Sequence, residues 1–389
     1  MSESFFKPIE YFASTALDGL ADLLGNGGGT LRGAPSDGSV TLPQDLFAQP
    51  DVQTEWWYYT GHCASENGRE FGFELVFFKR RTDLDRLGIF PMTALANPMY
   101  FAHFAISDIT GGTFKYDHIR SFNKPFDTPV SMSETACDVR LGDWSLREVA
   151  GKHILHATLN DGTIFDAVLE SAKPIVLNGE NGSGITMKKS GASKHFSYTR
   201  MNVEGQLQRN GELERFGGNA WMDREFGIWE QGEWDWFSIQ FNDATELMIY
   251  QFDDLDGHVK SDSTGTFVNA DGTCTYLKRS DFRIEALDTW ISEKTGAEYP
   301  SGWRVSVERL GIDITIQPTM KDQELDTRGS TMIVYWEGAC EVVGTKGESE
   351  IAGHAYVELV GYDRSHKAAG IADFLFGNVI NRVKRNFPF

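Results

Sequence analysis

The sequence predicts an all-β protein: two tandem antiparallel β-barrels with a short amphipathic helix at each end. Three observations carry this expectation. The chain has 389 residues, more than one ordinary core organises, so two domains are expected. Its 40 Gly punctuate many short apolar runs, a pattern that favours strands and tight turns over long helices. Both halves also open in the same way, with an acidic residue, a Trp cluster and a hairpin, which reads as a weak internal repeat of one barrel.

Taken in order, Phe5, Ile9, Phe12, Ala13, Leu17, Leu20 and Leu24 recur at helical spacing and predict an amphipathic helix. A Gly- and Ser-rich stretch follows, so residues 1–41 are assigned to a helix and linker. From Leu42 the pattern becomes strand and turn. The run Trp56-Trp57-Tyr58-Tyr59-Thr60, the turn Glu66-Asn67-Gly68-Arg69 and the run Phe71-Gly72-Phe73-Glu74-Leu75-Val76 form a hairpin, Asn-Gly suiting the positive φ of a tight turn. Tyr100 to Ile106 and Asp161 to Val168 continue the theme, and residues 42–210 are assigned to the first barrel. Glu233-Trp234-Asp235-Trp236-Phe237 and Glu246-Leu247-Met248-Ile249-Tyr250 open the second, over residues 211–363. A barrel of about eight strands has no exposed edge and can hold one small ligand. In residues 364–389, Ile371, Phe374, Leu375, Val379, Ile380 and Val383 line one helical face, closed by Arg382, Lys384 and Arg385. Such a helix either docks on the barrels or lies on an anionic membrane surface.

A formal net charge of -20 repels phosphate backbones, so nucleic acid is not an expected partner. Such acidity also serves solubility alone. Cysteines at 63, 137, 274 and 340 lack metal-site spacing and read as buried or semi-buried thiols. The N-terminus has no basic segment before its interrupted apolar run, and no stretch of about 18 apolar residues occurs, so a cytoplasmic protein is expected, membrane-associated only through the C-terminal helix. No metal-binding, P-loop or nucleophile-elbow motif is present, and no cofactor is expected.

The chemistry-bearing motifs pair carboxylates with large aromatics: Glu55-Trp56-Trp57-Tyr58, then Ala220-Trp221-Met222-Asp223-Arg224-Glu225 with Trp234-Asp235-Trp236, then Tyr335-Trp336-Glu337 with Asp322-Gln323-Glu324 upstream and Glu358 downstream in Tyr356-Val357-Glu358. A carboxyl enclosed by apolar rings is desolvated, which raises its pKa and keeps it protonated near neutrality. It can then protonate an alkene, and the ring faces stabilise the resulting cation. Asp223 and Glu225 are two apart and share one face of a strand. The competing reading of each acid is structural, as a partner for Arg or an indole N–H. His103 alternates with Phe101 on one strand face, where core hydrogen bonding is the alternative to catalysis. His62 and His195 are similar but less well placed.

These motifs, together with Tyr299-Pro300, Trp303, Asp322-Gln323-Glu324-Leu325 and Tyr335-Trp336-Glu337-Gly338, resemble the AttH-like family, a group also described as carotenoid 1,2-hydratase-like, over residues 45 to 362. The resemblance implies two lipocalin-like domains meeting at a shared interface, and relatives that add water to an isoprenoid double bond without a cofactor. The expectation is therefore a hydratase, dehydratase or cyclase acting on a hydrophobic isoprenoid or polyene. Asp223 is the favoured general acid, Glu225 assists, and His103 positions water. Glu55, Trp56, Trp57, Tyr58, Trp221, Trp236, Tyr335, Trp336 and Glu337 are expected to hold the substrate. The alternative is a non-catalytic carrier of lipid or pigment, because fold alone does not choose between them.

Overall fold

A computed structural model describes residues 39–87, 90–186, 192–228, 233–253, 259 and 261–363. The two expected terminal helices, and the membrane contact assigned to one of them, lie outside the described residues. Within them the chain is all-β, and its only helical elements are 3-10 turns of three residues. No helix among them is long and apolar enough to cross a membrane.

The strands form two large antiparallel sheets. The first has 13 strands. Its main path runs from Thr113–Ser121 through Met99–Asp108, Glu70–Arg80, Thr54–Ser65, Glu212–Gly227 and Ser193–Arg209 to Ile164–Ser171, Lys152–Thr158 and three shorter strands ending at Val130–Met132. It curls until its ends approach, where Ser121 Oγ donates to the Thr128 carbonyl at 2.5 Å. The second sheet has 10 strands, with Glu246–Asp253, Glu233–Phe241, Ser349–Val360 and Val334–Lys346 at its centre, and forms a half-barrel. The two expected closed barrels are thus one near-barrel and one half-barrel.

The expected boundary at residue 210 falls on a hairpin tip inside the first sheet. Asn210 (φ 52) and Gly211 (φ 82) both have positive φ, as a type I′ turn requires, and they join Ser193–Arg209 to Glu212–Gly227. The second of these strands pairs along its length with Thr54–Ser65, so the first sheet extends through residue 227. At the Asn67-Gly68 hairpin only Gly68 has positive φ, and its N–H donates to Ser65 O at 2.9 Å, the pattern of a type I turn followed by a bulge.

Side-chain alternation divides the apolar residues into three layers. Trp57, Tyr59, Phe71, Phe73, Phe77, Phe104, Phe165 and Phe196 fill the near-barrel. Phe237, Ile239, Trp303, Val305 and Trp336 belong to the core of the second sheet. A third cluster, including Tyr58, Val76, Trp221, Trp236, Met248, Tyr250 and Tyr356, joins the sheets through their outer faces. The near-barrel interior is therefore packed with its own rings (Phe73 and Phe165 lie 4.8 Å apart) rather than left open for a ligand as expected. All four cysteines are free thiols, three of them buried.

Candidate functional site

A cavity of about 170 Å³ lies between the outer faces of the two sheets. The first sheet contributes Thr54, Trp56, Tyr58, Glu74, Phe78, His195, Asp223 and Glu225 to its wall, and the second contributes Trp234, Trp236, Tyr250, Tyr335 and Glu358. Clefts of about 770 Å³ beside Asp235 and Tyr362, and about 620 Å³ beside His62 and His354, are larger. The smaller cavity is the candidate because it alone among these brings together rings and acids from all three motifs.

Strand register explains the convergence. Asp223 stands opposite Tyr58, Tyr58 opposite Val76, and Val76 opposite His103, so one row of side chains crosses the first sheet. On the second sheet Trp236 stands opposite both Tyr250 and Glu358, and Glu358 opposite Glu337. The rows interlock edge to face: Tyr58 and Trp236 have centroids 5.2 Å apart at 87°, and Trp221 and Trp236 are 6.1 Å apart at 82°.

One wall is built around His195. Its Nε2 lies 3.2 Å from Asp223 Oδ2 and its Nδ1 lies 3.5 Å from Glu225 Oε2. Both are ion-pair distances, although neither nitrogen reaches hydrogen-bond geometry. Burial alone would lower the imidazole pKa, but the Glu225 and Asp223 carboxylates outweigh it and raise it to about 9. The carboxylates are fixed from behind. Asp223 Oδ1 accepts from Trp221 Nε1 at 2.7 Å and from Ser197 Oγ, and Glu225 Oε1 accepts from Thr186 Oγ1 at 2.6 Å and from Ser193 Oγ. Burial raises the Glu225 pKa despite these donors.

Two further acids of the cavity wall, Glu358 from the second sheet and Glu74 from the first, are raised by burial. Glu358 is pushed up to about 7, by desolvation first and then by the charges of Asp223 and Glu225, while an indole hydrogen bond from Trp234 Nε1 at 3.1 Å partly opposes the rise. Desolvation pushes Glu74 up to about 8, against the hydrogen bond from Tyr335 Oη at 2.9 Å. Glu337 is raised well above the usual carboxylate range, again chiefly by burial. It does not line the cavity but sits behind Tyr58, whose Oη donates to it at 2.6 Å. Trp236 Nε1 and Glu74 Oε2 are buried with no hydrogen-bond partner in the protein.

Of the residues singled out in the sequence, Asp223, Glu225, Trp56, Tyr58, Trp236 and Tyr335 line the cavity, and Trp221 and Glu337 stand directly behind it. His103 is one step further back, its Nδ1 2.8 Å from Tyr335 Oη, which separates it from the cavity where it was expected to position water. Glu55, Trp57 and Trp336 lie elsewhere, because neighbours on a strand point to opposite faces. Glu55 faces the near-barrel side and pairs with Lys79 and Arg224, each at 2.5 Å. Trp57 donates to Leu46 O at 2.7 Å beneath the Arg224 guanidinium, and Trp336 donates to Lys321 O at 2.8 Å inside the second sheet. Glu74 and Tyr250 were not singled out. A lone acid within Phe-Gly-Phe-Glu-Leu-Val, sharing its parity with Val76 and Phe78, was the available signal for Glu74.

The AttH family, described as AttH-like, matches residues 34–362. A crystal structure of an AttH protein from Nitrosomonas europaea superposes with a TM-score of 0.75 at 30% identity, covering 86% of this chain and 100% of that one. Kievitone hydratase from Nectria haematococca superposes with a TM-score of 0.64 at 16% identity, covering 85% and 95%, a likeness of fold. No protein of curated function matches in sequence. The family match spans nearly all of the described residues and agrees with the motifs that converge on the cavity: this chain belongs to the AttH-like family.

Proposed function

We propose that this protein is a cofactor-independent acid–base enzyme that adds water to, removes water from, or cyclises a hydrophobic unsaturated substrate, isoprenoid or polyene in character. The observation that carries the reading is the convergence of two kinds of proton-handling group on one aromatic cavity. One kind is the pair of acids raised to about 7 and about 8, Glu358 and Glu74, and the other is the carboxylate–imidazole–carboxylate cluster. An acid whose pKa lies near the working pH is best suited to give and retake a proton.

In the hydration direction, Glu358 gives its proton to one alkene carbon and becomes a carboxylate. The faces of Trp56, Trp236 and Tyr250 stabilise the cation on the other carbon. Water adds there and loses one proton to a carboxylate of the Asp223–His195–Glu225 cluster, His195 being already protonated, and that proton returns to Glu358 before the next turnover. One water crosses one double bond, and dehydration is the reverse. Glu358 thus takes the donor role first assigned to Asp223, because Asp223 is held by Trp221, Ser197 and His195 as an acceptor. A volume of about 170 Å³ is below the roughly 300–1,000 Å³ of pockets that enclose a drug-sized ligand, so the cavity admits the reacting end of a longer molecule. Kievitone hydratase, sharing the fold, offers a precedent in name for water addition on this scaffold.

The test is mass spectrometry of material extracted from the purified protein, before and after incubation in 18O-labelled water. The native protein is expected to exchange or incorporate labelled oxygen in its bound molecule, and Glu358→Gln to bind it unchanged. A bound lipid that takes up no label and never changes mass supports the carrier reading instead.

A further inference from the structure

Behind the cavity, five side chains form a continuous hydrogen-bonded chain in which residues of the first sheet alternate with Tyr335 of the second sheet and Ser330 of the turn just before that strand. Glu74 Oε1 accepts from Tyr335 Oη at 2.9 Å, and Tyr335 Oη meets His103 Nδ1 at 2.8 Å. His103 Nε2 lies 3.2 Å from Ser330 Oγ, and Ser330 Oγ lies 2.9 Å from His118 Nδ1. Glu74, Tyr335, His103 and Ser330 are buried, whereas His118 is only half-buried. The chain therefore runs from the cavity wall towards the outside of the protein. It ends near the Asp326 carboxylate, which is itself paired with Arg328 at 2.5 Å.

We propose that this chain is a proton wire that returns protons to Glu74 from solvent through His118, with His103, Ser330 and Tyr335 as positioning residues. It rests on the acid–base reading of the cavity and adds a route by which Glu74, the second raised acid of the cavity wall, exchanges its proton with solvent without opening the site. The proton inventory balances. With His103 carrying its proton on Nδ1, each donor points towards Glu74. His118 takes up a proton from water and gives its Nδ1 proton to Ser330 Oγ. The Ser330 proton passes to His103 Nε2, the His103 Nδ1 proton to Tyr335 Oη, and the Tyr335 proton to Glu74 Oε1. Each hop breaks one bond to hydrogen and forms one. Glu74 Oε2 has no partner in the protein and is the oxygen free to act in the cavity once the carboxyl turns. Ser330 Oγ also lies 3.1 Å from the Thr327 carbonyl, so its single proton chooses between that oxygen and His103, and its rotation resets the wire. The turn is held in place by Arg120 Nε donating to Gly329 O at 3.1 Å. Burial holds the His103 pKa well below the ordinary value, which keeps the ring neutral and able to pass a proton rather than store it.

The experiment needs no substrate. On transfer to D2O, the carboxylic C=O stretch of protonated Glu74, identified by its loss in Glu74→Gln, shifts as the proton is replaced, and its rate is followed by infrared spectroscopy. Ser330→Ala is expected to slow this exchange by about tenfold or more, the rate equivalent of one lost hydrogen bond, while backbone amide exchange is unchanged. Ser330→Thr, which restores the hydroxyl, is expected to recover the native rate and guards against a folding defect in the alanine variant. An unchanged rate in Ser330→Ala overturns the wire and leaves the cavity chemistry standing. A native spectrum without a Glu74 carboxylic band overturns both the wire and Glu74 as a buried acid.

Discussion

Tyr58 Oη donates to Glu337 Oε1 at 2.6 Å, a bond between the two sheets that leaves Glu337 Oε2 without a partner. Removing the donor strands a fully buried carboxyl. Tyr58→Phe is therefore expected to cost about 1–3 kcal/mol of stability, read as a lower urea midpoint. Glu337→Gln, which trades the acid for a neutral acceptor of the same shape, is expected to cost less. Equal stability of Tyr58→Phe and the native protein would show that the bond contributes nothing to sheet association.

Raised pKa values carry a signed consequence for stability. Glu358 and Glu74 move from an ordinary value of 4.5 to about 7 and about 8, and His195 moves from 6.5 to about 9. In each case the folded state holds its proton more tightly than the unfolded chain. The stabilisation from these groups is thus fully present below the unfolded values and is lost as pH rises through the folded ones. Below about pH 6.5 the buried His62, His103 and His153, whose pKa values burial lowers, act in the opposite sense, so the fall in stability is expected between about pH 7 and pH 9, each raised group contributing up to about 1.4 kcal/mol per pH unit within its own window. Thermal unfolding across that range checks this, and Glu74→Gln should make the fall shallower between about pH 7 and pH 8. A stability that climbs with pH over this range contradicts the assignment.

His195 is held protonated by the charges of two carboxylates, Glu225 and Asp223, which outweigh its burial. Side-chain 15N NMR of His195 should give a titration midpoint near 9 in the native protein. Glu225→Gln and Asp223→Asn are each expected to lower it, because each substitution removes one of the charges that outweigh burial. A midpoint unmoved by both substitutions would break the cluster assigned here as the proton acceptor.

The aromatic-acid motifs made the residue types of the site legible in sequence, and the alternation rule grouped Asp223 and Glu225 on one face, where both line the cavity. The same rule, applied to Trp56-Trp57-Tyr58, would have separated Trp57 from the cavity. Because both faces of that strand are buried, the run is apolar throughout and shows no alternation to read. His195 is a harder case. From the Asn210-Gly211 turn, Arg209 pairs with Glu212, and an uninterrupted ladder would set His195 opposite Phe226, on the near-barrel face. An irregularity between Tyr198 and Met201 shifts the register by one, placing His195 opposite Glu225. A one-residue slip moves every later side chain to the other face, and no residue in Tyr198-Thr199-Arg200-Met201 announces it.

The close approach of the sheets that creates the cavity depends on a missing side chain. Gly72 faces the second sheet from Glu70–Arg80, and a Cβ placed on it would lie 2.5 Å from Tyr356 Oη and 2.8 Å from Ala339 Cβ. The backbone there is ordinary strand, so space alone requires the glycine. Gly72→Ala is expected to force the sheets apart and cost about 1–3 kcal/mol, as overpacking does. Removing the opposing methyl in Gly72→Ala/Ala339→Gly should recover part of that loss, because the two sites meet across the interface and their effects cannot be independent. Urea unfolding of the single and double variants measures the coupling, and strictly additive effects would show that the sheets do not meet at these two residues.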